Sequence, residues 1–160
     1  MRTFSGKLVL DRTPDDEWGY LKVDDGIRQK CFDLLGLGMI GFMLPDYEAH
    51  ISAFDAKEVR QLPEGFWYEG KTCDFTLSHL RVVNPENWSE VKSCVILCVK
   101  CKALEHLRKE MGFPPLMYGG HEFHITIGIR EQEIDGGVDN VVRLFNDYLK
   151  DDFDLVLSSM

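Results

Sequence analysis

The sequence predicts an α+β fold in which one strand–helix–loop–strand unit is used twice, and three observations carry that reading. The stretch HEFHITIGI, His121 to Ile129, alternates polar and apolar residues as a strand with one buried face does. An earlier stretch, EAHISAF from Glu48 to Phe54, repeats the pattern, with His50 and Ser52 where the later one has His124 and Thr126. Each stretch follows a strand, an amphipathic helix and a loop, and the spacings match: 15 residues from Leu35 to His50 and 13 from Met111 to His124. Repetition on this scale points to an internal duplication.

The elements follow in order. A short strand is expected over Lys7 to Leu10, then the acidic turn DRTPDDE. In WGYLKVDD, Leu21 and Val23 point one way and Tyr20 and Lys22 the other, as on a strand. A helix is expected from about Asp25, because Ile27, Cys31, Leu34 and Leu35 fall at i, i+4, i+7 and i+8. A Gly-rich loop and Pro45 end it before the first histidine strand.

The second unit begins with VKSCVILCV, apolar enough to be a buried strand. Its helix carries Leu104, Leu107 and Met111 on one stripe, and GFPPLMYGG breaks the chain before the second histidine strand. Between the units, GKTCDFTLSHLRVVNP supplies a further strand, paired antiparallel with VKSCVILCV across PENWSE. A last helix from about Gly137 aligns Val138, Val141, Val142, Phe145 and Leu149, and DFDLVLSS reads as an edge strand. No linker stands out, so residues 1–160 are expected to form one domain with lobes at about 18–60 and 91–149.

Composition excludes several classes of function. Asp and Glu number 27 against 18 Lys and Arg, a formal net charge of -9, whereas coating long duplex nucleic acid needs a dense basic surface. A small anion held in a local pocket remains compatible with that balance. The opening MRTFSGKLVL lacks the apolar core of a secretory signal. The longest apolar stretch, Leu34 to Leu44, is eleven residues with three glycines, too short to span a bilayer. Five cysteines form an odd set, against a disulfide framework. The expectation is an intracellular, cytoplasmic monomer with no membrane partner.

The two histidine strands carry the chemistry. Alternation puts Phe123, Ile125, Ile127 and Ile129 on one face, and His124, Thr126, Gly128 and Arg130 on the other. In the earlier strand Ala49, Ile51 and Ala53 are the apolar set, opposite Glu48, His50 and Ser52. Two imidazoles facing one groove suffice for phosphodiester chemistry without metal. One takes the proton of the attacking hydroxyl or water, and the other protonates the leaving oxygen. The hydroxyls of Ser52 and Thr126 can donate to the nonbridging phosphate oxygens, where charge builds in the transition state.

HISA and HITI, two copies of His-apolar-(Ser/Thr)-apolar 74 residues apart, resemble the signature of the 2H (two-histidine) phosphoesterase superfamily. That group includes LigT-like RNA phosphodiesterases, cyclic nucleotide phosphodiesterases and enzymes that degrade 2′,5′-linked or cyclic oligonucleotides. The resemblance covers about Trp18 to Leu149. It implies a bilobal, pseudo-twofold α+β fold, with two antiparallel sheets forming a central groove, helices packed outside, and no required metal or cofactor. It implies catalytic roles for His50 and His124, with Ser52 and Thr126 as the paired hydroxyls. Ala53 departs from the larger aliphatic usual at its position.

The expected activity is cleavage of a phosphodiester in a small nucleotide, a cyclic or 2′,5′-linked oligonucleotide, or a 2′,3′-cyclic phosphate RNA end. The competing expectation is a noncatalytic nucleotide- or RNA-end-binding module of the same fold. Tyr20, Lys22, Tyr118 and Arg130 are candidate substrate contacts, for base stacking or phosphate charge. Three other signals carry less. Gly36 to Gly41 spells GxGxxG, but a helix precedes it and Pro45 follows, the reverse of a dinucleotide loop. Cys98 and Cys101 form a lone CxxC, without the second pair that a structural zinc site needs. His79 and His106 read as ordinary surface or semi-buried residues.

Overall fold

The computed structural model describes residues 3–83, 93–131 and Asn146. The expected turn at 85–90, the helix from about Gly137 and the strand in DFDLVLSS lie outside the described residues. Among the described residues the elements follow in the order β1 (Phe4–Asp11), β2 (Trp18–Lys22), α1 (Asp25–Leu34), a 3-10 turn at Leu37–Ile40, β3 (His50–Phe54), α2 (Ala56–Gln61), β4 (Thr72–Val83), β5 (Ser93–Lys100), α3 (Lys102–Glu110) and β6 (His124–Arg130). Apart from α2, this is β–β–α–β written twice, and the chain is α+β.

The six strands are antiparallel neighbours in one closed ring, β1-β2-β3-β6-β5-β4. Exchanging β1, β2 and β3 with β4, β5 and β6 gives the same ring, so the order has the twofold character of a duplication. The resemblance implies two antiparallel sheets forming a groove, whereas two junctions join the strands into one ring. Phe4–Lys7 pairs with Thr72–Phe75, and Ile51 pairs with Ile125. Both are non-local pairings that no short sequence pattern encodes.

The apolar face of the ring and the helices form the core. Leu8, Leu21, Ile51, Phe75, Leu97 and Ile125 are fully buried, with Ile27 and Cys31 of α1 and Leu104 and Leu107 of α3 against them. Deleting the side chain of Ile51 or Ile125 to Ala would cost about 2–5 kcal/mol. Leu34, expected on the buried stripe of α1, is instead exposed, and Ile129 packs on a smaller cluster with Cys94, Ile96 and Cys98. The GxGxxG stretch is a turn. Gly36 (φ 62°) and Gly41 (φ 86°) take the left-handed conformation on either side of the 3-10 turn, which glycine adopts without a Cβ clash.

Local hydrogen bonds set the two histidine strands in equivalent places. The Val23 N–H donates to the Ala49 carbonyl, and the Val99 N–H to the Phe123 carbonyl. Each acceptor is the residue before a motif histidine, so both strands are fixed where the site begins. The Asp25 carboxylate adds a bond from the Ala49 N–H at 2.8 Å, tying the start of α1 to β3.

A buried cation that sequence inspection passes over joins the units. Arg108 on α3 is 1% exposed and makes a two-pronged ion pair with Glu58 on α2, at 2.8 and 2.7 Å. It also donates to the Ala53 and Pro114 carbonyls, and its guanidinium lies over Phe54 and Phe113. Glu58 in turn closes a capping box with Asp55 at the start of α2.

Candidate active site

Register places the polar residues of the two motifs side by side. Antiparallel pairing of Ile51 with Ile125 sets Ser52 across from His124 and His50 across from Thr126. The four side chains therefore occupy the corners of a rectangle, each histidine beside the hydroxyl of the other unit. Strand spacing and rise put the two histidine Cα atoms about 8 Å apart on the diagonal, enough for a phosphate between the rings.

The rectangle is part of a cavity of about 470 Å³ lined by Trp18, Tyr20, Tyr47, Glu48, His50, Ser52, His124 and Thr126. That volume suits a small-molecule ligand. All four residues expected to act in catalysis are brought together there, and Tyr20 with them.

Each imidazole is held in the same way. His50 Nδ1 is 3.0 Å from the Glu48 carbonyl, and His124 Nδ1 is 3.1 Å from the Glu122 carbonyl. A carbonyl only accepts, so Nδ1 carries the proton in both rings. Nε2 is left as the nitrogen that a ligand can engage. Burial pushes both histidine pKa values below the ordinary 6.5, against the opposing effect of the carbonyl bonds. The charge of His124 adds to the depression of His50, and His121 and Arg81 add to that of His124.

The two halves of the cavity differ. The His50 side is aromatic: Trp18 stacks on Tyr20 at 4.3 Å between centroids and meets the His50 ring edge-on at 4.7 Å, and Tyr47 is 5.2 Å from that ring. Tyr47 and Thr126 line the cavity together, and burial raises the Tyr47 pKa against the opposing influence of the Thr126 hydroxyl, which keeps the phenol neutral. Trp18, Tyr47 and Glu48 extend the expected set. Trp18 has the parity of Tyr20 on one strand and could have been read from it, whereas Tyr47 precedes β3 in a loop that has no period.

Three expected contacts stand elsewhere. Lys22 is the cross-strand neighbour of His50, but its ammonium is engaged by Glu48 at 3.4 Å and its side chain lies outside the cavity lining. Tyr118 does not line the cavity. It is 67% exposed, has a left-handed backbone (φ 50°), and sits against His121 near the charges of Asp55 and Glu58. Arg130 has the right parity in the sequence, but a β-bulge at Ile127 shifts the alternation along β6, so Arg130 turns to the face opposite His124, where its guanidinium packs over Phe42. A Cβ at Gly128 would meet Leu37 at 3.1 Å and Phe32 at 3.5 Å, so the α1 segment roofs the strand there. His79 is half-buried with its ring bonded to the Ser78 hydroxyl, and His106 is exposed and pairs with Glu110.

No helix among the described residues is long and apolar enough to cross a membrane. Comparison with curated proteins and with solved structures gives no match. The model of one protein family, described as Swiss Army Knife, 2H phosphoesterase domain, matches residues 19–134, a span holding both motifs and every cavity residue but Trp18. The chain belongs to this 2H phosphoesterase family.

Proposed function

We propose that the protein is a metal-independent phosphodiesterase in which His50 and His124 are general base and general acid. The single observation that carries this reading is the matched pair of imidazoles. Both line one cavity, both are fixed through Nδ1 to the carbonyl two residues earlier, and both leave Nε2 for the reacting oxygens. A neutral ring accepts the proton of a water or ribose hydroxyl as its oxygen attacks phosphorus. The protonated ring opposite gives its proton to the departing oxygen as the P–O bond breaks. The hydroxyls of Ser52 and Thr126, each across from a histidine, donate to the nonbridging oxygens.

The substrate we propose is a small nucleotide, a cyclic or 2′,5′-linked oligonucleotide, or a 2′,3′-cyclic phosphate RNA end. The cavity volume supports a small ligand over a duplex, and the Trp18–Tyr20 stack beside His50 offers a face for a nucleobase. The test is a panel of 2′,3′-cyclic nucleotides, 2′,5′- and 3′,5′-oligonucleotides and cyclic dinucleotides, incubated with the protein and excess chelator. Cleavage of at least one class is expected. Binding without turnover across the panel would instead make the protein a nucleotide-binding module.

A further inference from the structure

On the site face of the sheet, β4, β5 and β6 bring His79, Cys98 and His124 into one cross-strand row. Glu122 stands two residues before His124, with the same parity. We propose that His79 Nε2, Cys98 Sγ and the Glu122 carboxylate form a binding site for a divalent transition-metal ion of the zinc type, beside the cavity.

The donor set is the first argument. The three donor atoms all lie within 4.8 Å of one another. Nitrogen, sulfur and oxygen donors of these types are the ordinary ligands of zinc, at about 2.0–2.3 Å. Those bond lengths put two donors on a tetrahedral ion about 3.3–3.8 Å apart. His79 Nε2 and Glu122 Oε1 are separated by 3.8 Å, too far for a hydrogen bond and close to that edge length.

The second argument is independent of the first. Glu122 Oε2 is buried and accepts no hydrogen bond among the described residues. The Lys100 ammonium forms an ion pair with it at 3.8 Å, beyond hydrogen-bond distance and on a side chain 62% exposed. A buried carboxylate oxygen without a donor is costly, and a cation at this point would satisfy it.

The ligand orientation is also prepared. His79 Nδ1 is held by the Ser78 hydroxyl at 2.9 Å, which aims Nε2 at the cluster, the usual arrangement behind a metal-bound histidine. Three protein ligands leave a fourth position for water. On coordination the Cys98 thiol becomes a thiolate and its proton passes to solvent. The sequence hides the site because its ligands come from β4, β5 and the residues before β6, and only Cys98 of the CxxC takes part.

The test is a titration of the chelator-stripped full-length protein with Co²⁺ as the probe, followed by absorption. One equivalent should produce a thiolate-to-cobalt charge-transfer band and tetrahedral d–d bands, displaced by Zn²⁺. His79→Ala, at a partly exposed position that the fold tolerates, should raise the Kd by about 100-fold or more, beyond the usual 10–100-fold for loss of an outer partner. Cys98→Ser should abolish the charge-transfer band and Cys94→Ser should keep it, with circular dichroism confirming that each variant is folded. No charge-transfer band in the wild-type protein, or a band indifferent to His79→Ala, overturns the proposal.

Discussion

His50 and His124 make the same hydrogen bond, each from Nδ1 to the carbonyl two residues before it, just ahead of its own strand, at 3.0 and 3.1 Å. A carbonyl cannot donate, so this fixes one tautomer for both rings and gives them equal standing as acid or base. It also accounts for their recurrence at equivalent places in two β–β–α–β units. The bond depends on the strand and its approach, and both units supply the same strand.

The pH dependence follows from burial. Both pKa values are pushed below 6.5, so the neutral base and the protonated acid coexist at a lower pH than for solvated histidines. A plot of kcat/KM against pH reports the free enzyme and should be a bell centred below 6.5. The same depression bears on stability. Folded histidines that resist protonation make unfolding easier as pH falls below the unfolded value of about 6.5. Replacing both histidines with Gln should therefore flatten the loss of Tm on acidification through that range. A bell centred above 6.5 would contradict the assignment.

Trp18 should act through binding. If a nucleobase stacks on the Trp18–Tyr20 face, Trp18→Ala should raise KM for nucleotide substrates about 5–150-fold, from about 1–3 kcal/mol of stacking per base. The kcat should change little, and Trp18→Phe should recover part of the affinity. A fall in kcat with KM unchanged would place Trp18 behind His50 as a support of its ring.

Tyr47 should act through Thr126. Tyr47→Phe keeps the ring against His50 and removes the phenol group available to hydrogen-bond the Thr126 hydroxyl. Loss of that one bond should lower kcat about 2–10-fold, since a neutral hydrogen bond contributes about 0.5–1.5 kcal/mol. In Thr126→Val the same Tyr47→Phe change should have no further effect on kcat.

Arg108 and Glu58 hold the units together away from the cavity. Burial alone would push the Glu58 carboxyl up, but bonds from Arg108 and the Asp55 N–H leave it below 4.5. Arg108→Ala strands a buried carboxylate and should cost about 3–5 kcal/mol, read from denaturant unfolding. Because the folded pKa is depressed, this stabilisation is present above pH 4.5 and is lost as pH falls through the folded value. The double variant Arg108→Met, Glu58→Leu should recover much of the loss.

The catalytic candidates were legible because strand parity is local. His50, Ser52, His124 and Thr126 are each assigned a face by their immediate neighbours, and the buried Ile51, Ile125 and Ile127 agree. Parity says nothing about what covers a face. Arg130 shares the parity of His124 in the sequence, but the bulge at Ile127 turns it to the opposite face, which the segment after α1 covers, and no short sequence pattern marks that bulge. Tyr118 misled because the chain turns through left-handed residues from Tyr118 to Gly120, so proximity in sequence to His124 does not become proximity in space. Tyr47 and Arg108 were invisible for the complementary reason. One lies in an aperiodic loop, and the other is a charged residue on a helix stripe that a solvated-face rule assigns to water. The ring closure through β1 and β4 was equally hidden, since Lys7 and Thr72 are far apart in the chain.

The central claim is that the two histidines act as an acid–base pair on a phosphodiester without metal. The most direct measurement is kcat/KM for the best-cleaved substrate of the nucleotide panel, with excess chelator, for the wild-type protein, His50→Ala and His124→Ala. Each substitution is expected to lower the rate about 10²–10⁴-fold with the fold intact by circular dichroism, while chelator leaves the wild-type rate unchanged. Activity that disappears with chelator, or that survives both substitutions, would contradict the account.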